Sequence, residues 1–206
     1  MILIGQYDSP FVRRVAITLQ LYDLTYEHRP WSAVGDADKI AAVNPLIRVP
    51  TLVTADGRAI TDSGTILQLL DAHVGAGAFL SRAWPEQGES LRLCAFATGV
   101  ADKAVALIYE SAFHKDAVPA WTERLHRQIA DTLIMLERER AMRTTRWLFG
   151  DALSHADIIF GTMARFLREA HPGRFDIDAL EALMRHSEQC EKLPQFQNSY
   201  RPFRLG

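Results

Sequence analysis

Short apolar runs and helical periodicities alternate along the first 76 residues of the chain. The runs MILIG, TYEHRPW, PTLVT and RAI are typical of short strands. Between them, apolar residues recur at steps of three and four, which is the spacing of one helix face. This pattern predicts a helix from Pro10, a short helix near Asp36 to Val43 and a last helix near Asp62 to Val74. The order of these elements predicts a βαβ unit followed by a ββα unit.

The pattern changes in a stretch rich in Gly, Ala and Pro. Residues 77–88 are predicted to be a linker. From residue 89 onward no strand-like run occurs, and four segments show helical periodicity. The sequence therefore predicts an α/β domain at 1–76 and an all-α helical bundle at 89–206. The four helices are expected at Leu91 to Phe113, Trp121 to Arg140, Ser154 to Glu169 and Asp176 to Cys190.

Composition excludes several classes of function. Of the 206 residues, 48% are apolar and 23% charged, which is enough to bury a substantial core. The net charge of -2 and the scattered arginines argue against a nucleic-acid partner. No apolar run reaches the roughly 20 residues that cross a bilayer, and MILIG is too short for a signal peptide. We therefore expect a cytoplasmic protein with no membrane partner.

Cysteine and histidine spacing gives no sign of a metal site. Cys94 and Cys190 are the only cysteines, and they form no CxxC pair or disulfide framework. The seven histidines form no HxxxH or HxH pair. We therefore expect no metal.

Two predicted helix starts carry side chains with two interpretations each. Ser9 before Pro10 is a typical helix N-cap, but its hydroxyl would also suit a ligand. Asp62 or Ser63 is likewise a good N-cap for the next helix. The exposed N–H groups and the Ser63 hydroxyl would also bind a carboxylate, and Asp62 would pair with an ammonium group. One stretch would then bind both charges of an α-amino acid.

Val49-Pro50 and the stretch from Ser154 to Asp157 are two further motifs with a structural interpretation. Val49-Pro50 precedes a predicted strand. At the first residue of a strand, the missing N–H of proline removes no hydrogen bond of the sheet. A cis bond there would instead turn the Val49 backbone toward a peptide-like ligand, and the local sequence does not choose between these interpretations. Ser154 and Asp157 form an S-x-x-D capping box, for which the structural interpretation is sufficient.

Taken together in this order and spacing, four stretches resemble the soluble glutathione transferases. They are SPFVRRV (9–15), NPLIRVPTL (44–52), DSGTILQLL (62–70) and GDALSHADI (150–158). The resemblance covers essentially the whole chain, and its SPF run is similar to serine-type bacterial members. It implies a thioredoxin-like N-terminal domain that binds glutathione, followed by the helical bundle. It also implies that glutathione, the co-substrate, is conjugated to a small hydrophobic electrophile, a role in detoxification, and a homodimer.

The resemblance implies a role for each residue near the sulfur. Ser9 matches the serine that stabilises the thiolate, and Phe11 of the same run is a glutathione-binding position. Tyr7 is a second candidate for the sulfur contact, because other classes use a tyrosine near the end of the first strand. The electrophile pocket is expected along the first helix of the bundle. Its candidate lining residues, of which several are also typical of a core, are Asp102, Val105, Ala106, Tyr109 and Phe113.

The remaining glutathione contacts follow from the other two N-terminal motifs. Val49 and Pro50 match the cis-proline position, where the backbone before proline pairs with the cysteinyl part of glutathione. Ser63 matches the serine that holds the γ-glutamyl carboxylate, with Asp62 beside it. Arg48 lies where relatives carry a polar or basic residue near the glycine carboxylate.

Other functions remain open at this stage. Glutathione-dependent peroxidase activity is one alternative. Thiol exchange is disfavoured because Ser9 replaces the cysteine that it needs, and isomerisation is disfavoured because the chain lacks the serine-serine-cysteine sequence of zeta-like relatives. A non-catalytic glutathione-binding or regulatory module on the same fold is the alternative from a different class.

Overall fold

The computed structural model describes residues 1–78, 80, 82–116 and 118–204. The chain divides into two compact units, Met1–Ser81 with Glu191–Gly206, and Arg82–Cys190. Of the predicted linker, Phe79 and Ser81 lie outside the described residues, and so do three positions of the predicted helical domain, which are Ala117, Leu205 and Gly206. The predicted domain boundaries at residues 76 and 89 stay predictions.

The first unit contains a four-stranded sheet with strand order β2-β1-β3-β4. Strands β1 and β2 are parallel, and β3 runs antiparallel to both β1 and β4. The predicted βαβ-ββα order is confirmed. Its elements are β1 (Ile2–Ile4), α1 (Pro10–Leu21), β2 (Glu27–Arg29), α2 (Ala37–Ala41), β3 (Thr51–Val53), β4 (Ala59–Thr61) and α3 (Ser63–Val74), followed by a 3-10 turn at Gly75–Gly77.

Helices α1 and α3 each pack one apolar face in the core of this unit. Leu3 and Leu52, on the two central strands, are fully buried and belong to the same cluster. Burying one side chain of this size contributes about 1.5–3 kcal/mol, so packing rather than helix propensity holds these elements in place. The helical members of the cluster are Val12, Val15, Ala16, Leu19, Ile66, Leu67 and Leu70.

The second unit is helical over its described residues. Its helices are α4 (Glu86–Phe113), α5 (Pro119–Ala141), α6 (His155–Ala170) and α7 (Glu181–Glu191), which ends at the boundary with the first unit. The apolar stripe of α5 is buried as its periodicity predicts, through Leu125, Ile129, Leu133 and Leu136.

The last predicted helix of the bundle begins later than its periodicity indicates. Asp176 has a φ of 47°, and a 3-10 turn follows at Ile177–Ala179. Leu180, with a ψ of 75°, then leaves the helical region before α7 begins at Glu181. The predicted helix from Asp176 to Cys190 is therefore wrong over its first five positions, because the left-handed Asp176 and the non-helical Leu180 interrupt the backbone bonds.

The C-terminal segment packs on α1 of the first unit. A short helix, α8 (Pro194–Asn198), follows α7 and was not predicted. The buried Arg13 holds this segment: its two Nη atoms donate to the Glu191 carboxylate at 2.7 and 2.6 Å. The same guanidinium donates to the carbonyls of Phe196 (2.9 Å) and Ser199 (3.1 Å). A buried arginine is therefore matched by an anion and two carbonyls.

Candidate functional site

Strand register brings three segments to one end of the sheet. Ile4 pairs with Thr51 on β3, and Thr51 pairs with Thr61 on β4. Because β3 runs antiparallel to both neighbours, the loop after β1, the residue before β3 and the residue after β4 all lie at this end. A hydrogen bond of 3.4 Å from Thr61 Oγ1 to the Pro50 carbonyl joins two of these segments. The loop after β1 leads into the start of α1.

Ser9 is the N-cap of α1, as predicted. Its backbone is extended, with φ -73° and ψ 124°, and its Oγ accepts a long hydrogen bond of 3.4 Å from the Val12 N–H. Pro10 follows at the first helical position. Among the residues that the structure describes, the Ser9 hydroxyl donates no hydrogen bond. The cap uses a lone pair and leaves the proton of this half-buried hydroxyl for another acceptor.

The Tyr7 side chain contacts Tyr26 and His28. Its hydroxyl lies 2.9 Å from the hydroxyl of Tyr26, and its ring is stacked on His28 with centroids 3.9 Å apart. Burial, followed by the hydrogen bond with Tyr26, raises the pKa of Tyr7. This hydroxyl therefore stays protonated at neutral pH and already shares a hydrogen bond.

A carboxylate that sequence reasoning missed stands beside Ser9. Burial raises the pKa of Asp8, and the backbone N–H of Arg204 and the positive charge of Arg201 act in the opposite direction. The C-terminal segment thus offsets part of a negative charge next to the start of α1.

The Val49 segment approaches α1 closely. The Val49-Pro50 peptide bond is cis, which is the arrangement that the resemblance implies. Gly5 lies between this segment and α1: a Cβ on Gly5 would lie 2.5 Å from Val12 Cγ2 and 2.9 Å from Val49 Cβ. Gly5 also has a φ of 131°, which favours glycine. The lack of a side chain at position 5 is therefore what permits this approach.

Asn44 organises the loop that leads to Pro50, and sequence reasoning missed it. Its side chain is 4% exposed, and its Nδ2 donates to the Arg48 carbonyl (3.1 Å) and to Thr51 Oγ1 (2.9 Å). Its Oδ1 accepts the Leu46 N–H at 3.1 Å. One buried amide thus fixes both ends of the segment that carries Val49. Its only sequence signal is a position before a proline, which is common in loops.

Asp62 begins α3 in an unusual backbone conformation. Its φ is 68°, and its Oδ1 accepts hydrogen bonds from the N–H (2.9 Å) and the hydroxyl (3.2 Å) of Thr65. The predicted cap is confirmed as Asp62. A positive φ at a residue with a side chain is strained and is frequent at functional sites, where surrounding contacts maintain it.

Ser63 is hydrogen-bonded to a buried arginine. Its side chain is 3% exposed, and Arg14 Nη2 donates to its Oγ at 2.7 Å. Arg14 is also 3% exposed and extends from α1 to the start of α3. Sequence reasoning missed Arg14. The only signal is a charged residue inside an otherwise apolar helix, and this does not reveal what the charge contacts.

The other predicted site residues are Phe11 and Arg48 in the first unit and Tyr109 and Phe113 in the second. The Phe11 side chain is buried, at 9% exposed. Tyr109 and Phe113 belong to α4 of the second unit and are 41% and 58% exposed, with ring centroids 5.6 Å apart. These two rings are therefore surface rings in contact with each other, and not part of a core. Arg48 is exposed at the loop.

The described ranges contain no group of three His, Cys, Asp or Glu side chains placed to hold a metal ion. Within the same ranges, no helix has the length and apolar character needed to cross a membrane.

Comparisons with known proteins agree with this fold. The family model described as glutathione S-transferase, N-terminal domain, matches residues 3–77. The model described as glutathione S-transferase, C-terminal domain, matches residues 119–189. The protein has a thioredoxin-like N-terminal half and a helical C-terminal half, as predicted. The chain belongs to the glutathione transferase family.

Individual relatives are distant. The uncharacterized GST-like protein YibF of Escherichia coli K12 is 33% identical over 112 residues, 54% of this chain and 55% of the relative. Glutathione S-transferase U7 of Arabidopsis thaliana is 24% identical over 170 residues, 80% of this chain and 69% of the relative. The match to YibF therefore spans little more than half the length of that protein.

Solved structures extend the likeness over nearly the whole chain. A glutathione S-transferase of Methylobacterium radiotolerans in complex with glutathione sulfonate has a TM-score of 0.90 and 24% identity, and the match covers 99% of this chain and 96% of that chain. A glutathione S-transferase of Methylobacillus flagellatus KT with glutathione bound has a TM-score of 0.87 and 22% identity over 96% and 98% of the two chains. At these identities the likeness concerns the fold.

Proposed function

We propose that this protein binds glutathione and conjugates its thiolate to a small hydrophobic electrophile. The observation that carries the proposal is the placement of Ser9, the Val49 segment and Ser63 at one end of the sheet. These groups match the three parts of glutathione: the sulfur, the cysteinyl backbone and the γ-glutamyl carboxylate. Glutathione or a glutathione sulfonate is bound in the structural neighbours described above, which supports the same ligand here.

The start of α1 suits a sulfur anion. The Ser9 hydroxyl has a proton to donate, and the N-terminus of a twelve-residue helix adds partial positive charge. Tyr7 is the weaker candidate for this contact, because its hydroxyl is hydrogen-bonded to Tyr26 and its ring is stacked on His28. We therefore assign the sulfur contact to Ser9, in a serine-type enzyme.

The Val49 segment suits the peptide part of the ligand. Val49 lies outside the strand ladder, and among the described residues its backbone N–H and C=O make no hydrogen bond. A peptide-like ligand pairs with such groups as an added strand does. Asp62 and Ser63 then take the ammonium and carboxylate of the γ-glutamyl group, Arg48 takes the glycine carboxylate, and Phe11 supports the start of α1 from its buried position.

Thiolate stabilisation alone gives a modest rate gain. Lowering a thiol pKa from about 8.5 to about 6.5 corresponds to about 2.7 kcal/mol and raises the anionic fraction at pH 7 from about 3% to about 75%. The lower basicity weakens the nucleophile by roughly tenfold, on a Brønsted slope of about 0.4–0.5. The net gain is a few-fold, so most of the rate enhancement comes from holding the electrophile beside the sulfur. We assign the electrophile contact to Tyr109 and Phe113, whose exposed rings offer apolar surface.

The test is the Ser9→Ala variant. The expected result at pH 7 is a fall of a few-fold in kcat for a haloarene electrophile, because the bound thiol loses its anionic form, with the Kd for glutathione changed by no more than about fourfold, because the contacts to the rest of the tripeptide remain. Kinetics and calorimetry measure the two quantities. Ser154→Ala is the matched control, since it removes an N-cap serine from α6 in the second unit.

The outcomes separate the possible functions. Glutathione binding without turnover on haloarenes, epoxides, enals or isothiocyanates in the wild type would favour a non-catalytic binding module. Turnover confined to hydroperoxides would favour a peroxidase, and isomerisation of an unsaturated acid would favour an isomerase. Absence of glutathione binding by the wild type would sink the proposal as a whole.

The proposal extends to the setting of the enzyme. We infer a cytoplasmic homodimer that acts in detoxification of electrophiles, with no metal and no nucleic-acid partner. The family resemblance supports the homodimer and the role in detoxification, and charge and residue spacing support the other points. Sedimentation analysis of the purified chain tests the dimer.

A further inference from the structure

A groove lies at the C-terminal end of α1, within the first unit. Its volume is about 440 Å³, which is in the size range of small-ligand sites. Its lining comes from the turn between α1 and β2, with Asp23, Thr25 and Tyr26, and from α8, with Gln195. Helix α1 has twelve residues, so about 18 Å separates this end from Ser9 at its start. The groove is therefore not part of the proposed glutathione site.

The end of α1 closes with two backbone hydrogen bonds that require a left-handed residue. The Leu24 N–H donates to the Leu19 carbonyl at 2.9 Å, and the Asp23 N–H donates to the Gln20 carbonyl at 3.2 Å. Asp23 itself has a φ of 54°. This is the Schellman arrangement, in which glycine is the usual residue at the left-handed position because it has no Cβ. An aspartate there is the less favourable choice for the backbone.

The charge of Asp23 is also unfavourable at this position. The C-terminus of a helix carries partial negative charge from its last carbonyls, so a cation is stabilising there and a carboxylate is not. Among the residues that the structure describes, the Asp23 side chain makes no hydrogen bond or ion pair that would offset this cost. A residue that breaks two local rules without a compensating contact is a candidate for a functional role.

The polar surroundings of Asp23 are held in place by neighbouring contacts. Gln20 Nε2 donates to Ser199 Oγ at 2.6 Å and to the Tyr26 hydroxyl at 3.3 Å, which joins the end of α1 to the C-terminal segment. Ser199 is buried, and its carbonyl accepts from Arg13 Nε at 3.1 Å. The groove is therefore formed before any ligand arrives, and binding spends little free energy on ordering it.

The lining defines the charge and polarity of a ligand. Among the described residues that line the groove, Asp23 carries the only charge, which disfavours an anionic ligand. Thr25 and Gln195 add a hydroxyl and an amide, and neither side chain has a hydrogen-bond partner in the described part of the chain. Leu24 adds apolar surface. The groove therefore combines one anion, uncharged hydrogen-bonding groups and a small apolar area.

We propose that this groove is a binding site for small aliphatic amines that carry a second polar group, with Asp23 as the anionic partner of the ammonium. The ammonium offsets both the carboxylate and the negative end of α1. The methylene groups of the amine contact Leu24, and its second polar group bonds to Thr25 or Gln195. The inference does not rest on the proposed function, because no residue of the groove belongs to the glutathione contacts.

The experiment measures binding of 1,4-diaminobutane to the full chain by calorimetry, at constant ionic strength and without glutathione. 1,4-Butanediol is the control ligand, because it has hydroxyls in place of the two ammonium groups. We expect one diamine per chain with a Kd in the millimolar range or below, and binding of the diol that is weaker by about tenfold or more.

Two variants with the same change of net charge test the role of Asp23. Asp23→Asn should weaken the diamine by about tenfold, the lower end of the range for a hydrogen bond to a charged group, because the groove is open to solvent. Asp151→Asn changes an exposed carboxylate of the second unit and should leave the Kd within about twofold.

Stability separates a ligand role of Asp23 from a structural one. Asp23→Gly should raise the urea midpoint of unfolding in the absence of ligand, because glycine suits the left-handed position and the unfavourable charge is removed. The same variant should lose as much diamine affinity as Asp23→Asn. A lower midpoint would show that the carboxylate supports the fold itself, and it would overturn the proposal.

The binding results decide the proposal in the same way. No binding of the diamine by the wild type at millimolar concentrations overturns it, and so does equal binding of the diamine and the diol. A Kd that Asp23→Asn leaves unchanged, or that Asp151→Asn raises equally, assigns the amine to another part of the chain and also overturns it. None of these results tests glutathione binding, which the Ser9→Ala experiment measures separately.

Discussion

At the scale of single residues, the candidate site depends on side chains that hold backbone in place. Asn44 contacts no proposed part of glutathione, yet its buried amide bonds the Arg48 carbonyl and Thr51 Oγ1 on either side of Val49. Gly5 has the same kind of effect through the absence of a side chain. The backbone that would pair with the ligand is therefore positioned by residues outside the ligand contact.

Replacing Asn44 by alanine should affect both stability and binding. Thr51 Oγ1 loses a buried donor, and the part-buried Leu46 N–H and Arg48 carbonyl each lose one partner, which costs about 1–3 kcal/mol of the free energy of unfolding. We expect the Kd for glutathione to rise by at least fivefold, because the Val49 segment is less fixed. Denaturant unfolding and calorimetry measure the two effects.

The control for this variant is Asn198→Ala, an exposed asparagine with a 3.4 Å hydrogen bond to Gln20. It should change neither quantity appreciably. An Asn44→Ala protein that loses stability but keeps the wild-type Kd would contradict a positioning role.

The sequence predicts some of these residue contacts and not others. The caps at Ser9 and Asp62 are local and follow from residue type and position, so they were predictable. The contacts of Asn44 and Arg14 were not, because each depends on a partner that only the tertiary structure brings near. Arg14 and Ser63 are 49 positions apart along the chain.

At the scale of secondary structure elements, the clearest local signal is the capping box of α6. Ser154 Oγ accepts the Asp157 N–H at 3.4 Å, and Asp157 Oδ2 accepts the Ser154 N–H at 2.8 Å. The other carboxylate oxygen accepts the Leu148 N–H at 2.8 Å. The box therefore fixes both the start of α6 and the loop before it, as the S-x-x-D pattern predicts.

Ser154→Ala should lower the free energy of unfolding by about 0.5–2 kcal/mol, because it removes the cap from a buried helix start. Thr132→Ala is the matched control: its hydroxyl bonds the Gln128 carbonyl within α5 and caps nothing. Denaturant titration compares the two. Equal losses in both variants would show that the box adds nothing beyond an ordinary hydroxyl contact.

Periodicity was less informative where a helix starts without a cap. The apolar spacing from residue 176 onward is continuous, but the left-handed Asp176 and the non-helical Leu180 delay α7. Short α8 begins with a proline and spans only Pro194–Asn198, a length at which periodicity carries little information.

At the scale of the whole molecule, contacts between distant parts of the chain decide where segments belong. The Arg13–Glu191 pair joins residues 178 positions apart and places the C-terminal segment in the first unit. No local pattern predicts such a pairing. The order of elements and the two-part architecture, by contrast, follow from alternation and periodicity over many residues, and both are confirmed.

Stability of the whole protein should fall in mild acid through His186. This fully packed side chain accepts a hydrogen bond at Nδ1 from Arg140 Nε at 3.0 Å, so its ring is neutral. Burial lowers the pKa of His186; Asp157 opposes this shift, and Arg140 adds to it. The rings of Trp147 and Phe160 complete its surroundings.

The direction of this pH dependence follows from the difference in the pKa of His186 between the folded and unfolded states. An unfolded histidine titrates near 6.5, so the unfolded state binds the proton first as the pH falls. The contribution of His186 is complete above pH 6.5 and declines below it, by at most about 1.4 kcal/mol per pH unit. Urea unfolding at pH 7.5 and 5.5 should show a smaller difference in His186→Gln than in the wild type. The exposed His73→Gln serves as control, and an unchanged difference in His186→Gln would refute the assignment.

The central claim is that glutathione binds with its sulfur at the Ser9 hydroxyl, and the titration of the bound thiol tests it most directly. Ultraviolet absorbance of the thiolate, followed against pH with saturating glutathione, gives the pKa in the wild type and in Ser9→Ala. The account predicts a bound thiol with a pKa near 6.5 in the wild type and a value at least halfway back toward about 8.5 in the variant. The same pKa in both proteins, or a wild-type value equal to that of free glutathione, would contradict it.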